Sequence, residues 1–524
     1  MKQMFKDLKL PLLLLVLISL CAIIFLPITP IDETRYVSVA WDMWMHHSFI
    51  VPLLNGVPYS HKPPLLFWLM QAGWAIFGVN DYTPRLIPGI FSLLNLMLVY
   101  RISLRLWPQE RKTAACASLI LASCAIWDAW SIAIMFDMVL TFWILLGLLG
   151  TLRATERRRG GWLLLGIGIG GGLLAKGPAV LVYLLSIPLL RAWWDVRRDT
   201  PSRIKWVLAI LGVTVLGFAA ALLWAVPAAI KGGEVYRQAI LWGQTVGRMA
   251  SAEAPHHRPL WWYLPIVPLF FFPWIVFRPS FAKFQLKTTD TGTRFCLTWI
   301  GLPLLIFSLI SGKQIHYLIP FIPAGALLIG RNIARAEGAV GKTSARILGG
   351  LFILLGLVAL TLPLFTFGSD VGQLAPGSTR FASAGLLIAG AVLLLFPFRT
   401  ASSAAKRIAI GMALIFFFGI FEDNQMLMKR YNMKEVAQHI KGKMDEGRVV
   451  ANIGKYHGQY QFLGRLERPI IVLDENPKSL ADFEKRNPGA LFISYPHSNE
   501  RLPEGANVIY THPYRGKNVV LWEF

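Results

Sequence analysis

The sequence predicts an all-α polytopic membrane protein of about thirteen transmembrane helices, followed by a small C-terminal α/β domain. Three observations predict it. Apolar residues make up 55% of the 524-residue chain and charged residues only 15%, a balance foreign to a soluble protein of this size. Apolar segments of membrane-crossing length recur between short, strongly basic loops. Beyond Phe421 that texture stops, and helix-length and strand-length patterns alternate instead.

The first segment opens with a basic stretch, residues 1–9, and continues through the apolar residues 10–28, long enough to cross a hydrocarbon core of roughly 30 Å. "PITPIDE" after it offers no small-residue cleavage site, so the segment is expected to be retained. The later apolar segments are 64–79, 86–104, 113–134, 137–152, 162–175, 178–190, 207–229, 260–277, 295–310, 318–330, 347–367, 381–396 and 408–421. Between them lie "RISLRLWPQERK", "RATERRRGG", "RAWWDVRRDTPSRIK", "FRPSFAKFQLK", "RNIARAEGAVGKTSAR" and "FRTASSAAKR", all expected on the cytoplasmic side. Were 64–79 to cross, Arg101, Arg105, Arg111 and Lys112 would face outward. Residues 64–79 begin behind Pro63, are interrupted by Gln71 and Gly73, and are rich in aromatic side chains, so they are expected to lie along the interface. Thirteen spans remain, with the N-terminus cytoplasmic and the C-terminus outside.

The expected division is therefore a transmembrane domain, 1–421, whose first extracytoplasmic loop is 29–85, and an extracytoplasmic α/β domain, 422–524. In the latter the pattern predicts a helix over 433–444, strands at 449–453, 470–473, 490–495 and 518–523, and a helix over 478–485. It has no Gly-rich phosphate loop. The net charge of +23 is the loop charge that topology requires, so no nucleic-acid partner is expected. Cys21, Cys116, Cys124 and Cys296 all fall in apolar segments, which indicates neither a disulfide framework nor a cysteine metal site.

On this topology the unusual polar residues gather on the outward side. "DETRY" places Asp32, Glu33 and Arg35 directly after a span, where a carboxylate beside low dielectric is suited to be a general base. "YSHKPP" presents Tyr59, His61 and Lys62 in a stiff turn, with the lysine a natural phosphate partner. "MFDMVLTFW" starts a span with Asp137, "LAKGP" carries Lys176, "GQTVGRM" carries Arg248, "APHHRPLWWYLP" carries His256 beside His257, and "SGKQIHYLIPFIP" carries Lys313, His316 and Tyr317. Each motif alone reads equally well as an interface cap, a snorkelling lysine or an exposed loop. Their convergence on one face is what points to a site.

Taken in order, "P-x-x-P-I-D-E-T-R-Y", "Y-x-x-K-P-P-L", "D-M-x-L-T-F", "L-A-K-G-P", "H-x-R-P-x-W-Y" and "S-G-K-x-x-x-Y-x-x-P" resemble the GT-C glycosyltransferases of the bacterial aminoarabinose transferase and protein O-mannosyltransferase group. The resemblance covers residues 10–323, and the tail resembles the aminoarabinose transferase branch. It implies a membrane enzyme of the bacterial inner membrane, with its tail periplasmic, that moves a sugar from a polyprenyl-phosphate donor to a lipid A or other glycolipid, glycan or protein acceptor on the outer face, with inversion at the anomeric carbon. Asp32 then matches the catalytic aspartate, with Glu33 beside it, and Asp137 matches the second loop aspartate. Lys62 matches the phosphate-binding lysine, and Arg248 and Tyr317 match positions that line the donor phosphate. Arg35, Tyr59, His61, His256, Lys176 and Lys313 complete the expected substrate contacts. Where that branch often has Glu before the lysine, this chain has His61. Catalysis without a metal is expected, the alternative being a zinc held by His61 and His256. A monomer is expected. The competing class is a carrier for lipid-linked sugars, which would place ionisable groups near the midplane rather than at one face.

Overall fold

The computed structural model describes residues 2–197, 202–240, 257–281, 290–336, 342–361, 379–396, 398, 400–496 and 502–524. Among them, seven helices are long and apolar enough to cross a membrane: α1 (Lys2–Phe25), α4 (Thr83–Leu106), α7 (Asp137–Thr155), and the helices Arg203–Lys231, Thr291–Leu309, Ile315–Arg335 and Ala401–Glu422. Between α1 and α4 lie α2 (Asp32–Met45), the short hairpin β1 (Leu53–Leu54) and β2 (Val57–Pro58), and α3 (Leu65–Phe77). At 13 residues α3 is among the shorter apolar helices.

Two expected spans are broken. The segment 113–134 is α5 (Arg111–Leu121) and α6 (Ala125–Ile132), bent by 63°. The amide of Ala125 at the bend donates to the Phe272 carbonyl at 3.0 Å, so the interruption leaves that buried backbone group satisfied. Residues 260–277, expected as one helix, instead form the short turns Leu260–Tyr263, Val267–Phe270 and Trp274–Val276. Pro265, Pro268 and Pro273 each remove an amide donor and crowd the preceding turn, which prevents a continuous helix.

The two ends of the bundle differ chemically. At one end Arg111 meets Asp7 at 2.8 Å, Arg105 meets Glu156 at 2.9 Å, and Glu110 holds Arg331 at 2.8 Å and Arg335 at 2.5 Å. These pairs gather the start of α1 and the basic loops at the same end, as the charge pattern predicts. A cavity of about 600 Å³ lined by Arg105, Trp107, Glu156, Arg158 and Asp290 also lies there. At the other end α1 finishes, α2 begins, and α4 and α7 start.

The tail stacks on that second end. Its five-stranded sheet has the order β4-β3-β5-β7-β6, built from β3 (Val450–Ile453), β4 (Ile471–Leu473), β5 (Leu491–Ser494), β6 (Asn507–Tyr514) and β7 (Lys517–Glu523). The first three are parallel to one another, and β7 joins β5 and β6 antiparallel. The helices Lys434–Asp445 and Pro477–Arg486 precede β3 and β5. The hairpin strand β6 is not in the sequence expectation. Its signal is Arg515 and Gly516, both at positive φ, the requirement of a tight two-residue hairpin turn. Helix Ala401–Arg430 runs unbroken through residue 421, where the expected domain boundary falls. The tail also shares one apolar core with the first loop: Tyr36, Val37, Trp41, Phe67 and Trp74 pack in the same cluster as Met433, Ile440, Phe462 and Leu521. Trp74 and Phe462 stack at 5.2 Å, and the Trp41 indole donates to the Leu466 carbonyl at 2.9 Å.

Candidate functional site

The centre of the second end is a buried clamp. The Arg85 guanidinium sits near the start of α4, behind Pro84, a favoured residue in a first helical turn. It donates to Glu33 Oε1 at 3.1 Å and Oε2 at 2.9 Å, and to the carbonyls of Pro27 at 2.6 Å and Ile132 at 2.7 Å. Glu33 also accepts from the amides of Ile134 and Thr29, both at 2.9 Å, and from the Thr29 hydroxyl at 3.0 Å. One carboxylate and one guanidinium thus tie the end of α1, the start of α2, α4 and the end of α6 together. Glu33, expected beside Asp32 in the chemistry, has both oxygens engaged in this clamp. That network ties it to the fold, with every bond directed at the clamp.

The clamp directs Asp32 the other way. Asp32 occupies the first turn of α2, where a negative charge suits the helix dipole, and its side chain is 53% exposed. Its Oδ1 lies 3.6 Å from Arg35 and 3.4 Å from the Tyr36 hydroxyl, which donates to it. Tyr36 packs edge-on against Phe136 at 4.9 Å, Phe136 against Phe67 at 5.6 Å, and Phe67 against Tyr59 at 6.4 Å. Tyr59 in turn meets the His61 ring at 5.2 Å. An aromatic floor therefore runs from the exposed carboxylate to the "YSHKPP" turn.

Across that floor lies a cationic group. Lys62 Nζ stands 5.8 Å from the centre of the Phe136 ring. Lys176 Nζ pairs with Asp137 Oδ1 at 2.6 Å, with the aspartate fully buried and the lysine side chain 8% exposed, and lies 5.8 Å from the centre of the Tyr317 ring. His316 and Lys62 are both near enough to act on the Asp137 charge. The position of Lys176 follows from "LAKGP". The helix α8 (Gly161–Lys176) stops at that lysine because Gly177 adopts φ 72° and Pro178 cannot continue it. Asp137, expected to share the chemistry, is fully buried and anchors Lys176. Its second oxygen has no hydrogen-bond partner among the described residues.

The remaining expected residues divide. Tyr317 belongs to this group. Lys313 does not: buried, it donates to the carbonyls of Ile310 at 2.6 Å and Arg258 at 3.0 Å, tying the turn before Ile315–Arg335 to the bridge between His257 and Gly312. Here it braces two backbone carbonyls. Arg248 and His256 lie outside the described residues, and among those described no three His, Cys, Asp or Glu side chains cluster as metal ligands would. Sequence reasoning missed Arg85 and Tyr36. Arg85 has a signal, a cation in the first turn of a span where an anion would be favoured.

Comparison with known proteins gives the same direction. The model of the family described as dolichyl-phosphate-mannose-protein mannosyltransferase matches residues 61–224. The undecaprenyl phosphate-alpha-4-amino-4-deoxy-L-arabinose arabinosyl transferase 2 of Pseudomonas fluorescens is 30% identical over 336 residues, 63% of this chain and 60% of that protein. The corresponding transferase of Erwinia tasmaniensis is 29% identical over 387 residues, 69% of this chain and 68% of that protein. The matched region thus spans about 60% of the length of the Pseudomonas relative. Among solved structures, ArnT from Cupriavidus metallidurans bound to undecaprenyl phosphate superposes with a TM-score of 0.78 at 17% identity, covering 99% of this chain and 98% of that one. Its apo state gives 0.75. The resemblance read from the motifs is borne out in sequence and in fold.

Proposed function

We propose that this GT-C, aminoarabinose-transferase-like chain is an integral membrane glycosyltransferase that moves a sugar from a polyprenyl-phosphate donor to an acceptor on a lipid, glycan or protein. The carrying observation is the exposed Asp32 carboxylate at the same end of the bundle as Lys62, which the Tyr36 and Phe136 rings join to it, with Lys176 held by Asp137 next in the chain to Phe136. A donor whose tail stays in lipid would set its phosphate against the lysines and its anomeric carbon toward Asp32. The acceptor oxygen then forms the new bond to that carbon while the bond from carbon to phosphate oxygen breaks. The acceptor proton passes to Asp32, and the electron pair of the broken bond leaves on the phosphate, where Lys62 and Lys176 offset it. Attack from the face opposite the phosphate inverts the anomeric carbon.

The topology follows the same reading. The proposed topology counts as thirteen crossings the seven long helices, the bent pair α5 and α6, and the shorter apolar segments other than α3, the broken 260–270 among them. In this arrangement α3 rests on the outer interface, α1 begins in the cytoplasm, and the tail stands in the periplasm as the second domain. The protein works as a monomer in the bacterial inner membrane.

The test is a single-turnover incubation of the purified protein with a panel of labelled polyprenyl-phosphate sugars. The transferase releases polyprenyl phosphate with at least one donor, whereas a carrier or binding protein releases none. Lys62→Ala should raise the donor KM by roughly 10- to 150-fold, the loss of a charge-assisted bond worth about 1.5 to 3 kcal/mol. Its kinetics matching wild type would remove Lys62 from the phosphate site. Catalysis is proposed without a metal, because the Lys62 charge and the further N–H donors of the Lys176 ammonium can receive the leaving phosphate. Chelation should leave the rate unchanged. Loss of activity on chelation, restored by zinc and abolished as a response in His61→Ala, would put the His61 and His256 pair in place of that reading.

A further inference from the structure

The tail's turn 454–459, "GKYHGQ", is absorbed neither by the sheet nor by the chemistry above. Its backbone is held from two sides. Gln459 accepts from the His457 amide at 3.0 Å and donates to the Tyr495 hydroxyl at 2.7 Å, and Tyr495 donates to Asn452 at 2.8 Å, which fixes the turn to β5 and β3. On the other side Tyr456 donates to Gln461, whose amide donates to Asn55 at 2.5 Å, and Asn55 exchanges bonds with the Ile470 backbone at 2.8 Å each way. Asn55 lies in the hairpin between β1 and β2, so the turn is built onto the first loop. Gly458 completes the fit: at φ 75°, a Cβ there would come within 2.4 Å of Leu54 Cδ1, so no larger residue sits in this turn without displacing it. So many satisfied polar groups around an irregular turn mark a place where position is specified, not merely filled.

This fixed turn carries His457, whose backbone amide is one of the bonds that hold it. The ring is half-buried and lies within electrostatic reach of Asp32, Arg35, Lys455 and Arg515. Burial and those three cations push its pKa down to about 4, so near neutral pH it is an uncharged imidazole with one donor and one acceptor nitrogen. A neutral ring on a turn built onto the first loop, at the end of the bundle where the exposed Asp32 carboxylate stands, can orient a hydroxyl without competing for its proton.

We propose that the turn 454–459 is the outer wall of the reacting site and that His457, carried on it, is a positioning residue that orients the acceptor's attacking group toward Asp32. The inference rests on the transferase reading and assigns the tail a part in it: the site is closed only when the sheet is docked on the first loop. It also accounts for the continuous core between the tail and α2, since a wall must not drift relative to the base it faces.

The full-length protein in detergent tests this with undecaprenyl-phosphate aminoarabinose as donor and lipid A as acceptor. His457→Ala should lower kcat/KM for the acceptor by roughly tenfold or more, on the scale of one lost hydrogen bond in a desolvated site, while the donor KM stays within about twofold. His457→Gln, which keeps a neutral donor and acceptor, should recover most of the loss. Wild-type kinetics in His457→Ala would overturn the proposal. So would a parallel fall in donor and acceptor parameters accompanied by a lower thermal midpoint, the signature of a packing role. A placement readout stands apart from activity: an Asp32→Cys and His457→Cys pair should be joined by a short bifunctional thiol reagent, the native cysteines being buried. Failure to join overturns the wall even in an active enzyme. No release of polyprenyl phosphate by wild type with any donor would count against the transferase reading, and the cross-link would still decide the placement.

Discussion

Asp32→Asn is expected to slow sugar transfer by about 10²- to 10⁴-fold, the range that a positioned general base contributes, with no loss of folded protein. The structural half of this expectation comes from how little of the fold depends on the carboxylate. Asp32 is exposed, and its bonds to Arg35 and Tyr36 are long, at 3.6 and 3.4 Å. Its neighbour Glu33 carries the clamp instead. An amide at position 32 keeps the shape and most of the hydrogen bonding and gives up the ability to take a proton. The donor KM should stay near wild type, because the phosphate lies with the lysines rather than with Asp32. Activity of Asp32→Asn near that of wild type, measured as release of polyprenyl phosphate at saturating donor, would remove Asp32 from the base role. Unchanged rates in Asp32→Asn with loss in Glu33→Gln would transfer the role to the buried residue, against the geometry.

Much of the fold was legible from periodicity and charge because both respond to one strong constraint, the bilayer. The basic loops, the interruption of 64–79 by Gln71 and Gly73, and the change of texture after Phe421 are all local signals. The helices and most strands of the tail were equally legible, since each is an uninterrupted run. What escaped was long-range. The bend at residues 122–124 depends on a carbonyl at Phe272, and nothing in "LASCAIW" announces it. Segment 260–277 has the composition of a span, yet its three prolines remove amide donors that a continuous helix would need. At the site the same split recurs. Asp32, Lys62 and Tyr317 stand in ordered motifs, and the fold brings them to one end of the bundle. That Asp32 is exposed and Glu33, one position on, is buried is not readable in the sequence, because a helix turn sends adjacent side chains about 100° apart and only tertiary partners decide which is buried. Arg85, 52 residues from its partner Glu33, and the turn that carries His457, more than 400 residues from Asp32, reach this end of the bundle through tertiary packing alone.

The largest effect on stability should come from Arg85→Ala. Removing one partner of a buried ion pair leaves the other charge uncompensated, a loss of about 3 to 5 kcal/mol. Here Glu33 would remain in a pocket formed by Thr29, Ile134 and the end of α6, with no cation and little water. The carbonyls of Pro27 and Ile132 would lose their donor as well. Arg85→Lys should restore little, since one ammonium cannot span the two carboxylate oxygens and two carbonyls that the planar fork reaches at 2.6 to 3.1 Å. The double variant Glu33→Leu with Arg85→Met separates charge from anchoring. It removes the uncompensated charge, so its thermal midpoint in detergent should fall less than that of Arg85→Ala. It should still lie below wild type, because the amides of Thr29 and Ile134 and the two carbonyls lose partners that no apolar residue replaces. Asp32 stands on the helix turn that this clamp fixes. Partly folded Arg85→Ala protein should therefore also lose transfer, although Arg85 touches no reacting atom in the proposed geometry. A wild-type midpoint in Arg85→Ala would mean that α2 is held by the apolar core alone, and the orientation of Asp32 would then have to be ascribed to the tail packed against it.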